Sequence, residues 1–126
     1  KGFPGFVEEL DAMELAKKAN LEVPPIMIYG DDLTHIITEK GVAYLNKCSS
    51  LEERMAAIRS IAGDSPVGQM EKKEETMQLR ARGIVRTPKD MGCDVNRATS
   101  DLLAAHSIKE LMEISGGLYQ PPQKFL

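Results

Sequence analysis

Two short β-prone runs, Thr34–Thr38 (THIIT) and Val42–Leu45 (VAYL), are separated only by Glu39-Lys40-Gly41. A connection this short forces the runs to lie antiparallel, because parallel neighbours need a crossover of about a dozen residues or more. Gly41 can take the positive φ that a tight hairpin requires. Just downstream, Ser50-Leu51-Glu52-Glu53 reads as a capping box, in which the Ser50 hydroxyl and the Glu53 carboxylate satisfy early backbone donors reciprocally. Leu51, Met55, Ile58 and Ala62 follow at helical spacing, and Gly63 stops the helix before an Asp64-Ser65-Pro66 turn. A hairpin followed at once by an amphipathic helix predicts an α/β layer.

The flanking segments fill in the plan. Val7, Leu10, Met13, Ala16 and Ala19 recur every third residue among Glu8, Glu9, Asp11, Lys17 and Lys18, which predicts a helix from Val7 to Ala19 stopped by a left-handed Asn20. Ile26-Met27-Ile28-Tyr29 reads as one buried strand, ended by the turn residues Gly30-Asp31-Asp32. A largely exposed helix is expected from about Glu71 to Arg82, with Met77, Leu79 and Ala81 as its apolar content. Gly83 ends it, Ile84-Val85 is a brief extended piece, and Thr87-Pro88 opens a short helical turn. Asp94 or Asn96 caps a helix through Ala105, and Ser107-x-x-Glu110 is a second capping box leading through Leu111, Met112 and Ile114 to Gly116-Gly117. The Tyr119-Gln-Pro-Pro segment cannot continue that helix.

No repeat or linker divides the chain, so residues 1–126 are expected to form a single α/β segment, with short strands in the first half and helices dominating the second. The sheet is thin for the number of helices. With no Met at position 1 and an apolar KGFPGFVEEL opening, the chain is expected to be a segment of something longer, whose remaining strands lie upstream. Such a shared sheet would leave an apolar face and an edge, so the segment is expected to dimerise.

Composition narrows the partners. Sixteen Lys+Arg stand against 19 Asp+Glu, for a net charge of −3, which is not the basic footprint of a nucleic-acid or anionic-membrane binder. No apolar run approaches the roughly 20 residues of a bilayer span, and no signal-peptide pattern opens the chain, so a cytoplasmic protein is expected. Cys48 and Cys93 lack C-x-x-C spacing and are expected to be reduced, packed thiols with no metal role. The seven methionines, among them Met13, Met27, Met55, Met70 and Met77, read as core filler.

The densest polar group is Asp31, Asp32, His35 and Glu39. Carboxylates and imidazole suit acid–base work or metal ligation, yet Gly30-Asp31-Asp32 is also ordinary turn chemistry, and no second histidine lies near. Glu39, at a strand-to-turn position, could serve as a nucleophile forming an acyl anhydride or simply bind backbone donors. The glycines at positions 2, 5, 30, 41, 116 and 117 form neither GxGxxG nor a Walker loop. Glu71-Lys72-Lys73-Glu74-Glu75 is a solvated face or a docking surface, and Arg80, Arg82 and Arg86 could meet phosphates of a long cofactor or an acidic carrier through their forked donors. His106 is best placed to meet the last carbonyls of the helix before it.

Several strings together resemble one family. FVEELDAMELA (Phe6–Ala16), PPIMIYGDDLTHIITEKGVAYL (Pro24–Leu45), SLEERMAAIRSIAG (Ser50–Gly63), RGIVRTPKDMG (Arg82–Gly92) and ATSDLLAAHSIKELMEISGGLYQPPQKF (Ala98–Phe125) resemble the C-terminal part of the malonate decarboxylase alpha subunit. That subunit is similar in architecture to the coenzyme A transferases, whose Thr-Glu-x-Gly-Val strand-turn-strand appears as Thr38-Glu39-Lys40-Gly41-Val42. The resemblance implies the C-terminal part of a coenzyme A transferase-like domain. It implies an acyl carrier protein transferase that exchanges acetyl for malonyl on the dephospho-coenzyme-A-type thiol of a small acyl carrier subunit, in company with the other decarboxylase subunits.

The resemblance also sets what this stretch should hold. In the coenzyme A transferases the nucleophilic glutamate lies in a different motif, upstream of the Thr-Glu-x-Gly pair, and it has no counterpart here. Glu39 is therefore expected to be scaffold, the segment alone to be inactive, and no cofactor to be held tightly. The backbone around Gly30 and Gly41 is expected to line the substrate end, with Arg80, Arg82 or Arg86 meeting the carrier. The rival readings are a segment of a coenzyme A transferase or acetyl-coenzyme A hydrolase, and a non-catalytic module that gathers subunits.

Overall fold

The computed structural model describes residues 4–116 and 119–126, so that Gly2 and Gly117 lie outside the described residues. Five α-helices and a three-stranded sheet are described. The chain divides into two compact units, Lys1–Thr87 and Pro88–Leu126.

The first unit is organised by the expected hairpin. Strands β1 (His35–Thr38) and β2 (Gly41–Tyr44) pair antiparallel in a register that sets Thr38 opposite Gly41, leaving Glu39-Lys40 as a two-residue turn. Strand β3 (Val85–Arg86) pairs antiparallel with the other edge of β2, through Val42 with Arg86 and Ala43 with Val85. The sheet order is β1-β2-β3. Helix α2 (Leu51–Ile61) starts where the capping box predicts, with Glu53 N–H donating to Ser50 Oγ at 3.1 Å. Its core side is Ala57 and Ile61, which join Ala43, Leu45, Leu79, Ile84 and Val85 in one buried cluster. Helix α3 (Lys73–Ala81) is mostly exposed, as expected, and inserts only Leu79.

Four expectations are corrected. Ile26–Tyr29 is not a buried strand: it pairs with no described strand and its side chains are 67–94% exposed. The third strand is Val85–Arg86 instead, brought alongside β2 by the Gly83 turn at φ +67°. Helix α1 covers Ala12–Lys18, not Val7–Ala19, because Asp11 caps it by accepting from Glu14 N–H at 2.9 Å. Residues before that cap run as irregular backbone, and Phe6 packs against the core of the first unit; the left-handed Asn20 stop is as predicted, at φ 51°. The apolar face expected for α2 holds only in its second half: Ala62 is buried and Ile58 packs against the core, whereas Leu51 is 68% and Met55 42% exposed, and Ala57 and Ile61 make the deeper contact. Nor do the methionines fill the core: Met13, Met27, Met55, Met70 and Met77 are all exposed.

The second unit contains α4 (Val95–Ala104) and α5 (Ile108–Ile114). Asp94 caps α4 through Asn96 N–H and Arg97 N–H, which settles the choice between Asp94 and Asn96. Ser107 caps α5, and Gly116 ends it at φ 62°. Among the described residues, no helix is long and apolar enough to cross a membrane.

Candidate functional site

The Thr38–Gly41 turn is anchored to the end of α2. Thr38 Oγ1 donates to the Ile61 carbonyl at 2.7 Å and accepts from Lys40 N–H at 3.1 Å, which locks the turn against the helix terminus. Gly41 takes φ +148°, and a Cβ there would stand 2.2 Å from the Arg86 carbonyl oxygen, so this position is closed off by β3. Glu39 is exposed and leans over the left-handed Gly63, whose added Cβ would sit 3.4 Å from Glu39 Oε1. Between them opens a hollow of about 350 Å³, with Thr38, Glu39, Asp64 and Ser65 among its walls. Gly68 closes the turn behind it, because a Cβ there would meet the Gly63 carbonyl oxygen at 1.9 Å.

The other half of the predicted constellation lies at the far end of β1. Glu39 and His35 bracket the strand, about 13 Å apart at the usual rise per residue. His35 pairs with Tyr44 edge-on, ring centroids 5.2 Å apart, and its Nδ1 lies 2.9 Å from Thr34 Oγ1. Asp31 and Asp32 are exposed in the short turn Gly30–Asp32. Among the described residues no three His, Cys, Asp or Glu side chains converge on a point that could hold a metal ion.

Sequence reasoning missed the residue that holds this turn. Arg54, on α2, donates to the carbonyls of Leu45 at 3.0 Å and Leu33 at 2.9 Å, and also to that of Gly30. A planar guanidinium reaches three separate carbonyls because its donors are fixed in a fork. It thus ties the Gly30–Asp32 turn and the end of the hairpin to one helix. The available signal was Arg54 at the spacing of the buried Ala57 and Ile61, a cation on a helix face otherwise turned to the core.

The three candidate arginines are all exposed, and they divide. Arg82 is paired with Glu53, whose carboxylate also accepts from Ser49 N–H at 2.7 Å and Ser49 Oγ at 3.1 Å. The capping box is thus displaced by one residue on its return side. The Arg82 hydrogen bond, then the Ser49 backbone bond, hold the Glu53 carboxyl below its ordinary range. Arg80 lies on α3 and Arg86 on β3. Beside Glu53, burial and then the Glu53 charge push the Cys48 thiol up, so it stays protonated at neutral pH; its Sγ lies 3.8 Å from the Tyr44 carbonyl. Cys48 and Cys93 are both free. His106 contributes its backbone, which donates to Glu110 Oε2 at 2.9 Å, rather than its ring as expected.

A family model described as malonate decarboxylase, alpha subunit, transporter matches residues 1–126. The acetyl-S-ACP:malonate ACP transferase of Malonomonas rubra is 59% identical over 123 residues, covering 98% of this chain and 22% of that protein. Among solved structures, a Pseudomonas malonate decarboxylase hetero-tetramer in complex with malonate matches at TM-score 0.69 and 51% identity, over 99% of this chain and 23% of that one. A malonate decarboxylase alpha subunit from Acinetobacter baumannii matches at TM-score 0.71 and 50% identity, again over 99% and 23%. The chain therefore spans less than a quarter of the length of these relatives.

Proposed function

Since this chain belongs to the malonate decarboxylase alpha subunit family, we propose that it is the C-terminal part of an acyl carrier protein transferase, exchanging acetyl for malonyl on a carrier-borne thioester. The observation that carries this reading is the 59% identity to an acetyl-S-ACP:malonate ACP transferase across 98% of the chain. Identity at that level, spread over both compact units, supports a shared role more strongly than a shared fold alone would. The cytosol is the compartment assigned to it.

The mechanism proposed is exchange of one carboxylate for another on a thioester. It needs a carboxylate that accepts the acyl group, donors for the developing oxyanion, and a channel for the carrier's long arm. This stretch supplies scaffold and binding surface, and it holds no cofactor of its own; the dephospho-coenzyme-A-type arm arrives on the carrier. Glu39 is exposed at a hairpin turn, a place that supports the scaffold role over that of nucleophile. The Gly30 turn, secured by Arg54, is the better candidate for the substrate end, because a Cβ at Gly30 meets nothing within 4 Å whereas Gly41 is closed by the Arg86 carbonyl.

The deciding experiment measures acetyl-for-malonyl exchange on a carrier bearing its prosthetic group, with this 126-residue chain and with the complete subunit that contains it. Turnover by the complete subunit alone is expected. Turnover by the short chain would move the acyl-accepting carboxylate into it and make Glu39 the first residue to replace. No turnover by either would refute the proposed activity.

A further inference from the structure

Arg54 joins two stretches of main chain that are distant in sequence. Its Nη1 donates to the Leu45 carbonyl at 3.0 Å, where the hairpin ends. Its Nη2 donates to the Leu33 carbonyl at 2.9 Å and to the Gly30 carbonyl, at the two ends of the Gly30–Asp32 turn. The turn closes itself only locally, through Asp32 N–H to the Tyr29 carbonyl at 3.0 Å and Leu33 N–H to the Gly30 carbonyl at 3.3 Å. Neither bond places it against α2. Upstream, Ile26–Tyr29 pairs with no described strand, and downstream the ladder with β2 begins at His35. The tie from the turn to α2 is therefore the Arg54 guanidinium.

A peptide unit is a rigid plane, so fixing its carbonyl also fixes the direction of the N–H on its other side. Arg54 thus sets the main-chain orientation at both ends of the turn. A lysine cannot copy this, because its ammonium is a single point on a flexible stem rather than a planar fork with one arm for each stretch. The charge of the turn then selects what suits it. Asp31 and Asp32 place two carboxylates in three residues, while the Arg54 donors on this side are committed to carbonyls. A malonate carboxylate arriving here meets like charge. The amide-bearing stretch of the carrier's arm, next to its thiol, is uncharged and pairs well with main-chain groups.

We propose that Arg54 is a positioning residue for the exchange reaction: by clamping the Gly30 turn to α2, it holds in place the main chain along which the uncharged amide stretch of the carrier's arm lies. The inference rests on the reading given under Proposed function, in which this turn belongs to the substrate end.

The test uses the complete subunit, with acyl carrier and malonate concentrations varied separately. Arg54→Lys is expected to raise KM for the carrier about tenfold, with kcat and KM for malonate within about threefold of the parent. Arg54→Ala is expected to lose the same affinity for the carrier and to recover it with added methylguanidinium but not with methylammonium at equal ionic strength. A merely structural Arg54 would lower the melting temperature and shift both KM values alike, without rescue. That result, a rise confined to KM for malonate, or unchanged kinetics in the folded variants overturns the proposal. Should neither variant fold, amide hydrogen exchange in the unaltered subunit decides: saturating carrier is expected to slow it across residues 31–34, and an unchanged rate there overturns the proposal. Absence of acyl exchange in the unaltered subunit would refute the transferase reading instead.

Discussion

Two glycines that look alike in the sequence behave differently in space. At Gly41 a Cβ would lie 2.2 Å from the Arg86 carbonyl oxygen, and the backbone is at φ +148°. An alanine there must push β3 away from β2 or rotate the turn, and either move opens the Ala43–Val85 contact in the core. Gly41→Ala is therefore expected to cost about 3 kcal/mol, the upper part of the usual range for a strained backbone position, read as a drop in urea midpoint. At Gly30 a Cβ meets nothing within 4 Å, and the turn is held through its carbonyl by Arg54, a contact that alanine keeps. Gly30→Ala should stay within about 0.5 kcal/mol of the parent. Lost exchange activity in a fully stable Gly30→Ala subunit would then identify this turn as a surface that substrate approaches closely. Equal stability losses at both positions would contradict the packing described for Gly41.

Between elements, polar side chains tie pieces that the small apolar core does not reach. Glu53, at the start of α2, grips Arg82 just after α3 and the Ser49 backbone in front of its own helix. These bonds favour the charged carboxylate and lower its pKa in the folded state below the ordinary 4.5. The contribution is therefore complete above about pH 4.5 and is lost as the pH falls through the lowered folded value. Glu53→Gln should cost about 1 kcal/mol at pH 7, the scale of a charge-assisted hydrogen bond open to solvent on the Arg82 side. The gap between variant and parent should narrow as the pH falls from 4.5 through the lowered folded value, as followed by thermal melts. A gap that does not change across the whole acid range would mean that the charge is irrelevant.

The same elements show what was legible beforehand. Helix starts at Ser50, Ser107 and Asp94, and stops at Asn20, Gly63, Gly83 and Gly116, were readable because caps and left-handed residues act within one turn of chain. The hairpin was readable from the length of its connection. Burial was not. Ile26–Tyr29 has the composition of a strand, but a strand exists only beside a neighbour, and neighbours lie at long sequence distance. On α2 the helical spacing picked out Ile58 and Ala62, which pack, together with Leu51 and Met55, which are exposed, and passed over Ala57 and Ile61, which face the main cluster. For the candidate site, Glu39, Gly41 and the arginines were visible as residue types. Their division into a closed glycine, a paired Arg82 and a separately clamped Gly30 turn depended on contacts across 24 to 45 residues.

At the scale of the molecule, apolar burial is unevenly distributed. Every member of the buried cluster, from Ala43 to Val85, belongs to the first unit. In the second unit the buried residue among those described is Ser115, while Val95, Leu102, Leu103 and Ile108 remain exposed. Helices α4 and α5 have 10 and 7 residues, too short to be stable in water through their own hydrogen bonds. Their persistence must draw on contacts between them and on whatever covers their exposed leucines. Amide hydrogen exchange on this chain should accordingly show two tiers. Protection should be greatest across β2, β3 and the Ala57–Ile61 side of α2, with openings that approach global unfolding, and much lower across 95–114, where sub-global opening suffices. Uniform protection across both units would show that the 88–126 unit is stabilised from within and would contradict the uneven burial described here for the two units.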